Sequence, residues 1–68
     1  MNAAKLKSIM ILHGDTSKDL AKYLGISEQS ICNKINENGT EFKQGEIVRI
    51  KDRYKLSPID ICTIFFAN

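Results

Sequence analysis

The chain has 68 residues, with one proline, four glycines and two cysteines, and its ten basic and eight acidic side chains give a formal net charge of +2. This length supports one small hydrophobic core, so we expect a single domain over residues 1–68. The small net charge excludes a binder that acts by overall charge alone. We expect neither a signal peptide nor a membrane-spanning segment, and therefore a cytoplasmic protein that does not interact with membranes.

The residues that carry catalytic or metal chemistry are sparse. His13 is the only histidine, and no acid or nucleophile lies near it in the sequence, so we expect it at the surface or at a helix end. Cys32 and Cys62 are far apart and lack a second pair, which excludes the usual zinc spacing. We expect reduced thiols, with Cys62 in the core. The sequence thus predicts no enzyme, no metal, no cofactor and no small-molecule substrate.

The first helix is predicted from about Asn2 to Leu12. Leu6, Ile9 and Met10 recur at spacings of three and four, which places them on one buried face. We expect this helix to stop by Gly14.

Two further helices with a short connection are predicted between residues 16 and 36. Thr16 is suited to N-cap the first of them, with Asp19 as the acidic partner of a capping box. Gly25 is suited to end it, because glycine adopts the left-handed conformation without a steric cost. Ser27 then caps the next helix, which extends to about Asn36. This arrangement is typical of a helix-turn-helix unit that binds DNA.

The outer face of the second of these helices is formed by amides. Ile31 and Ile35 mark its buried side, and Gln29, Asn33 and Asn36 lie opposite them. Asn and Gln can donate to and accept from the edge of adenine in the major groove. The alternative interpretation is an ordinary solvated polar face.

The chain resembles the Cro and cI-like (Xre-type) helix-turn-helix repressors of phages and bacteria in the segment DLAKYLGIS and in the EQSI that follows it. The resemblance implies an all-α, five-helix domain similar to the lambda repressor, with the helix-turn-helix at helices 2 and 3. It implies packing roles for Leu20, Ala21, Gly25 and Ile31. It also implies base contacts from Gln29 and Asn33, with Ser30 close to the phosphate and the groove edge.

Other residues of the third helix extend this predicted contact with DNA. The family usually has an apolar residue where Lys34 stands, so we expect Ile35 to take over its burial and Lys34 to contact phosphate. Glu28 could accept from cytosine N4, or serve only as an acid at the helix start. The predicted base contacts are Gln29, Asn33, Ser30, Glu28 and Asn36. The predicted phosphate contacts are Thr16, Ser17, Lys18, Lys34, Asn38, Thr40, Lys43 and Gln44.

A turn over residues 37–40 is predicted to lead into the fourth helix. Lys43 is its expected N-cap, Phe42 can pack on Ile47, and the helix ends near Lys55. The loop and the first helical turn offer amides, a hydroxyl and free N–H groups to a phosphate backbone. The alternative is a solvated loop without a role. Basic side chains later in this helix, Arg49, Lys51, Arg53 and Lys55, are interpreted mainly as its solvated face.

The last helix is predicted from Ser57 and Pro58 to about Phe66, because an N-cap serine, a proline at N1 and Asp60 form a strong helix start. It is apolar on two sides. One side carries Ile59, Cys62 and Phe66, and the other carries Ile61, Ile64 and Phe65. We expect a dimer interface at Ile61, Ile64, Phe65 and Phe66, because a surplus of apolar surface usually marks an interface. Alternatively, both sides close the core of the monomer.

The sequence therefore predicts a DNA-binding transcriptional regulator. We expect a repressor that binds a palindromic operator as a homodimer, with helix 3 in the major groove of double-stranded DNA. The alternative is a helical protein-interaction module, such as an antitoxin or an adaptor, that uses the end around Ile61–Phe66 to hold a partner.

Overall fold

The structure is a computed structural model that describes residues 1–66, and in this range the chain forms five α-helices and no strand. The helices are α1 Ala3–Leu12, α2 Ser17–Leu24, α3 Glu28–Ile35, α4 Gln44–Tyr54 and α5 Pro58–Phe65. The all-α prediction is confirmed. The last two residues of the predicted 1–68 domain lie outside the described range.

Side-chain caps define the starts of several helices. The Thr16 hydroxyl accepts from the Asp19 N–H at 3.2 Å, and the Asp19 carboxylate accepts from the Thr16 N–H at 2.9 Å. Ser57 and Asp60 form the same reciprocal pair at the start of α5. Each pair satisfies two backbone donors that a helix start leaves without partners. Both predicted helix starts are thus confirmed.

The connection between α2 and α3 spans only residues 25–27. Gly25 has a φ of 74°, in the left-handed region, and its N–H donates to carbonyls in the last turn of α2. Ser27 is extended, and its hydroxyl accepts from the Ser30 N–H at 3.1 Å. The two helices pack directly against each other. This local geometry agrees with the predicted helix ends.

One hydrophobic cluster receives side chains from all five helices. Its fully buried members are Leu6, Leu20, Ile31, Ile50 and Ile64. Burial of such side chains contributes roughly 1.5–3 kcal/mol each and is the main driving force for folding a chain of this size. Ile9, which was predicted to be buried, is only half-buried.

The ends of α1 and α5 are joined in an antiparallel arrangement. The Asn2 N–H donates to the Ile64 carbonyl at 2.6 Å. Further along, Lys5 Nζ lies 3.3 Å from the Asp60 carboxylate. This pairing holds the Ile64 side of α5 toward the core.

α4 is linked to the segment between α1 and α2 by Asp15. Its carboxylate accepts from Arg53 Nε at 2.6 Å, from Arg53 Nη2 at 2.8 Å and from the Tyr54 hydroxyl at 2.7 Å. The Arg53 guanidinium holds the pKa of Asp15 below its usual value, although burial opposes this effect. Burial in turn raises the pKa of Tyr54. Arg53 therefore serves the fold rather than a solvated face.

Candidate nucleic-acid interface

The outer ridge of α3 has the polarity that its sequence predicts. Gln29 and Asn36 are exposed and Asn33 is half-buried, whereas Ile31 and Ile35 are buried on the opposite side. Because α3 is held against α2 by its apolar side, the amide side remains at the surface.

Two of these amides are joined in the protein. Gln29 Nε2 donates to Asn33 Oδ1 at 3.1 Å. This bond orients both side chains while using only one donor and one acceptor of the pair. An amide carries two donors and a carbonyl with two lone pairs, so the pair retains both donor and acceptor capacity. Such a combination matches the edge of a base in the major groove.

Two other predicted base contacts, Ser30 and Glu28, differ in their exposure and in the hydrogen-bonding groups that they leave available. Ser30 is half-buried, and its hydroxyl accepts from Ser27 Oγ at 2.9 Å, which leaves its own hydrogen to donate. Glu28 is exposed in the first turn of α3. There its carboxylate interacts favourably with the helix dipole.

Of the predicted phosphate contacts at the start of α2, Thr16 already uses its hydroxyl in hydrogen bonds to Asp19 of the same helix. The Thr16 hydroxyl donates to the Asp19 carboxylate at 2.9 Å while it accepts from the Asp19 N–H. Ser17 is half-buried and Lys18 is exposed. Lys18 is thus the member of this group that offers a positive charge to solvent.

The loop between α3 and α4 displays most of the remaining predicted contacts. Asn38, Lys43 and Gln44 are exposed and Thr40 is half-buried. The same loop also carries two exposed carboxylates, Glu37 and Glu41, for which no role was predicted from sequence. Glu37 is paired with the Met1 ammonium at 2.9 Å, which offsets its negative charge near the predicted phosphate contacts.

Lys34 does not offer its ammonium to solvent, where the predicted phosphate contact would require it. Its side chain is buried at 7% exposure, and Nζ lies 2.9 Å from Glu46 Oε1 and donates to the Glu41 carbonyl at 3.2 Å. The last turn of α3 faces the first turn of α4, so Lys34 points into the protein. The position is buried, and Glu46 provides the partner for the lysine ammonium there.

The predicted dimer residues at α5 are largely covered by the rest of the monomer. Ile64 is 0% exposed, and Ile61 and Phe65 are half-buried against the hydrophobic cluster. Only Phe66, at 65% exposure, remains available for a partner. The antiparallel pairing of α5 with α1 turns the Ile64 side inward.

The exposed apolar surface of α5 is its other side. Ile59 is 76% exposed, Phe66 is 65% exposed, and Cys62 between them is also exposed rather than in the core as predicted. We call Ile59, Cys62 and Phe66 the α5 stripe.

A cleft of about 360 Å³ lies between the α3–α4 loop and the end of α5. Phe42, Ile47, Phe65 and Phe66 line its apolar part, and Glu37 and Glu41 contribute carboxylates. Within residues 1–66, no group of three or more His, Cys, Asp or Glu side chains is placed to hold a metal ion. In the same range no helix is long and apolar enough to cross a membrane.

Comparison of the chain with protein-family models, with curated proteins and with solved structures finds no match. The interpretation of its function therefore depends on the chemistry and placement of the side chains described above.

Proposed function

We propose that this protein is a sequence-specific double-stranded DNA-binding regulator of transcription that inserts α3 into the major groove. The observation that carries this proposal is the outward amide pair of Gln29 and Asn33 on a short helix held against α2 by a three-residue turn. A helix of this size fits the major groove, and amides recognise base edges there. Asn36, Ser30 and Glu28 extend the same surface.

Phosphate contacts around α3 would supply affinity and register. Lys18 at the start of α2 and Lys43 before α4 are exposed cations, and Asn38, Thr40 and Gln44 add polar groups. Because each phosphate contact releases counterions, we expect affinity to fall steeply as salt rises. The modest net charge of +2 makes the placement of these few charges important.

The proposal includes a homodimer formed through the α5 stripe, in place of the interface predicted from sequence. Ile59 and Phe66 are more than half exposed, and burial of such side chains against a second copy stabilises association. One small domain contacts few bases, and two identical copies on a palindromic operator double these contacts. Repression follows from such an arrangement when the operator overlaps a promoter.

The first test is a selection of bound fragments from a random DNA library at near-physiological salt. We expect an enriched palindrome that binds ~10³-fold or more tightly than a scrambled sequence. The absence of enrichment by folded protein would overturn the proposal.

A pair of matched truncations then separates base contacts from phosphate contacts. Gln29→Ala should lose about 1–3 kcal/mol of discrimination between the selected site and the scrambled one. Gln44→Ala removes the same amide group from the start of α4, and should weaken binding to both DNAs equally. Equal effects on discrimination in the two variants would contradict the assignment of Gln29.

A second candidate function is that of a protein-interaction module, which the α5 stripe and the neighbouring cleft favour. In that case the double variant Gln29→Ala with Asn33→Ala would retain full function in cells. A charge at Phe66 would abolish function and leave a folded monomer.

A further inference from the structure

Lys34 is the one charged residue that is buried within residues 1–66. Its Nζ lies 2.9 Å from Glu46 Oε1 and donates to the Glu41 carbonyl at 3.2 Å. The same Glu46 oxygen accepts from the Lys43 N–H at 2.8 Å. The side chains of Lys34 and Glu46 are 9% and 14% exposed, respectively. One ammonium therefore connects the last turn of α3, the end of the loop and the first turn of α4.

The backbone strengthens this connection at the other end of the loop. The Asn38 N–H donates to the Asn33 carbonyl at 2.9 Å, and the Glu37 N–H donates to the Lys34 carbonyl at 3.3 Å. The loop is thus attached to α3 both where it leaves that helix and, through Lys34, where it enters α4. The polar groups of the loop consequently keep a defined position relative to Gln29 and Asn33.

Stability alone does not account for a buried ion pair. Desolvation of two charges costs about as much as their attraction returns, and well-packed apolar residues often replace such a pair without loss. Directional hydrogen bonds from one ammonium to a carbonyl and a carboxylate do, however, define geometry that apolar side chains do not.

We infer that Lys34 is a positioning residue for DNA binding, which acts through Glu46 to hold the α3–α4 loop in register with the base-contacting face of α3. This inference rests on the proposed function. It differs from the predicted direct phosphate contact, because Lys34 never touches DNA. The phosphate contacts of Asn38, Thr40 and Lys43 depend on it instead.

The test uses three variants of the full chain and one control. Lys34→Met and Glu46→Gln each remove one charge of the pair, and the double variant Lys34→Met with Glu46→Met replaces both side chains by apolar ones of similar length. Lys51→Met removes an exposed lysine of α4 as the matched control. For each folded variant we would measure the melting temperature and the affinity for the selected operator and for scrambled DNA as a function of salt.

We expect the double variant to fold and to melt near the native temperature, because apolar packing offsets the lost ion pair and the lost cap on the Lys43 N–H. It should nevertheless bind both DNAs roughly 3- to 30-fold more weakly. The slope of log K against log salt should become shallower by about one, because Lys43 is the only cation among the three loop contacts named above. Glu46→Gln should also weaken binding, although Glu46 is not a predicted DNA contact. Amide hydrogen exchange at Asn38 in the DNA-free protein should be faster in all three variants and unchanged in the control.

Two results would overturn the inference while leaving the proposed function intact. One is a folded double variant that binds like the native protein, since the pair would then serve only stability. The other is weaker DNA binding by Lys34→Met together with native or tighter DNA binding by Glu46→Gln. That result would make Lys34 a direct phosphate ligand. If the native protein enriches no DNA, the proposed function fails and the inference fails with it.

Discussion

At the scale of the residue, the backbone conformation of Gly25 decides how α2 joins α3. Its φ of 74° lies in the left-handed region, and a Cβ built there has no heavy atom within 4 Å. A side chain would therefore meet no steric obstacle from neighbours, and only the local conformational cost remains. Gly45 is also free of neighbours within 4 Å, but it lies within α4 and has no positive φ. These two glycines thus differ only in backbone conformation.

This difference predicts opposite effects of the same substitution. Gly25→Ala should lower the free energy of unfolding by about 1–2 kcal/mol, because alanine is strained in the left-handed region. Gly45→Ala should raise it by roughly 0.5–1 kcal/mol, since alanine loses less backbone entropy in a helix. Urea denaturation of the two variants checks both signs. The account would be contradicted if both substitutions raised, or both lowered, the free energy of unfolding.

At the scale of the element, α4 organises the ends of its neighbours. Arg49 donates through Nη1 to the Leu24 carbonyl at 3.2 Å and through Nη2 to the Tyr23 carbonyl. Its guanidinium carbon lies 4.9 Å from the centre of the Tyr23 ring, and that of Arg53 lies 4.7 Å from it. The last carbonyls of α2 are thereby satisfied by a side chain of α4. Arg49 is exposed, as predicted for the solvated face, and in addition it contacts the end of α2.

The two-pronged contact of Arg49 predicts that lysine cannot replace it. Arg49→Lys keeps the charge but loses the planar fork and the stacking on Tyr23. We expect a loss of about 1–2 kcal/mol in the free energy of unfolding. Lys51→Ala, at an exposed position of the same helix, should change it by less than about 0.5 kcal/mol. Thermal unfolding of both proteins would show whether their effects differ.

The contact between Asp15 and α4 predicts a dependence of stability on pH. The pKa of Asp15 is lower in the folded protein than its ordinary 3.8, so its contribution is fully present above that value and is lost as pH falls through the folded pKa. Asp15→Asn should therefore destabilise the protein near neutral pH and flatten the decline below about pH 4. Asp52→Asn, at an exposed position on α4, serves as the control. If the Asp15→Asn protein lost stability with falling pH as steeply as the native protein, this assignment would be contradicted.

At the scale of the whole molecule, the core leaves large apolar side chains at the surface in separate places. Ile59 on α5 is 76% exposed and Ile11 on α1 is 77% exposed. Ile59 shares one face with the exposed Cys62 and Phe66 at helical spacing, whereas Ile11 has one large exposed apolar residue beside it in sequence, Leu12 at 83%. Isolated exposed apolar residues are common, whereas a continuous surface marks an interface.

We expect Ile59→Glu to shift the protein toward monomers in sedimentation velocity, because a charge would be buried in the proposed interface. Operator affinity should fall with it, while affinity for a single half-site stays the same. Ile11→Glu introduces the same charge at equal exposure and should leave the oligomeric state unchanged. Dimers that persist in Ile59→Glu would exclude the α5 stripe as the interface.

The helices, the caps at Thr16, Gly25 and Ser57, and the amide ridge of α3 follow from local patterns in the sequence. Thr16, Ser57 and Gly25 act on backbone groups within four residues of themselves, so their effects are visible in a short stretch of sequence. The ridge follows from helical periodicity around Ile31 and Ile35, which is equally local. These features were predicted because no distant contact is needed to produce them.

The roles of side chains whose partners are far away in the chain depend instead on how the helices pack together. Lys34 is buried because Glu46 lies opposite it, and this pairing depends on how α4 packs against α3. The two apolar sides of α5 are chemically similar, and its attachment to α1 through Asn2 and Asp60 turned Ile64 inward. Periodicity shows that a helix has an apolar face, but where two faces qualify, the packing of the other helices selects which one is buried.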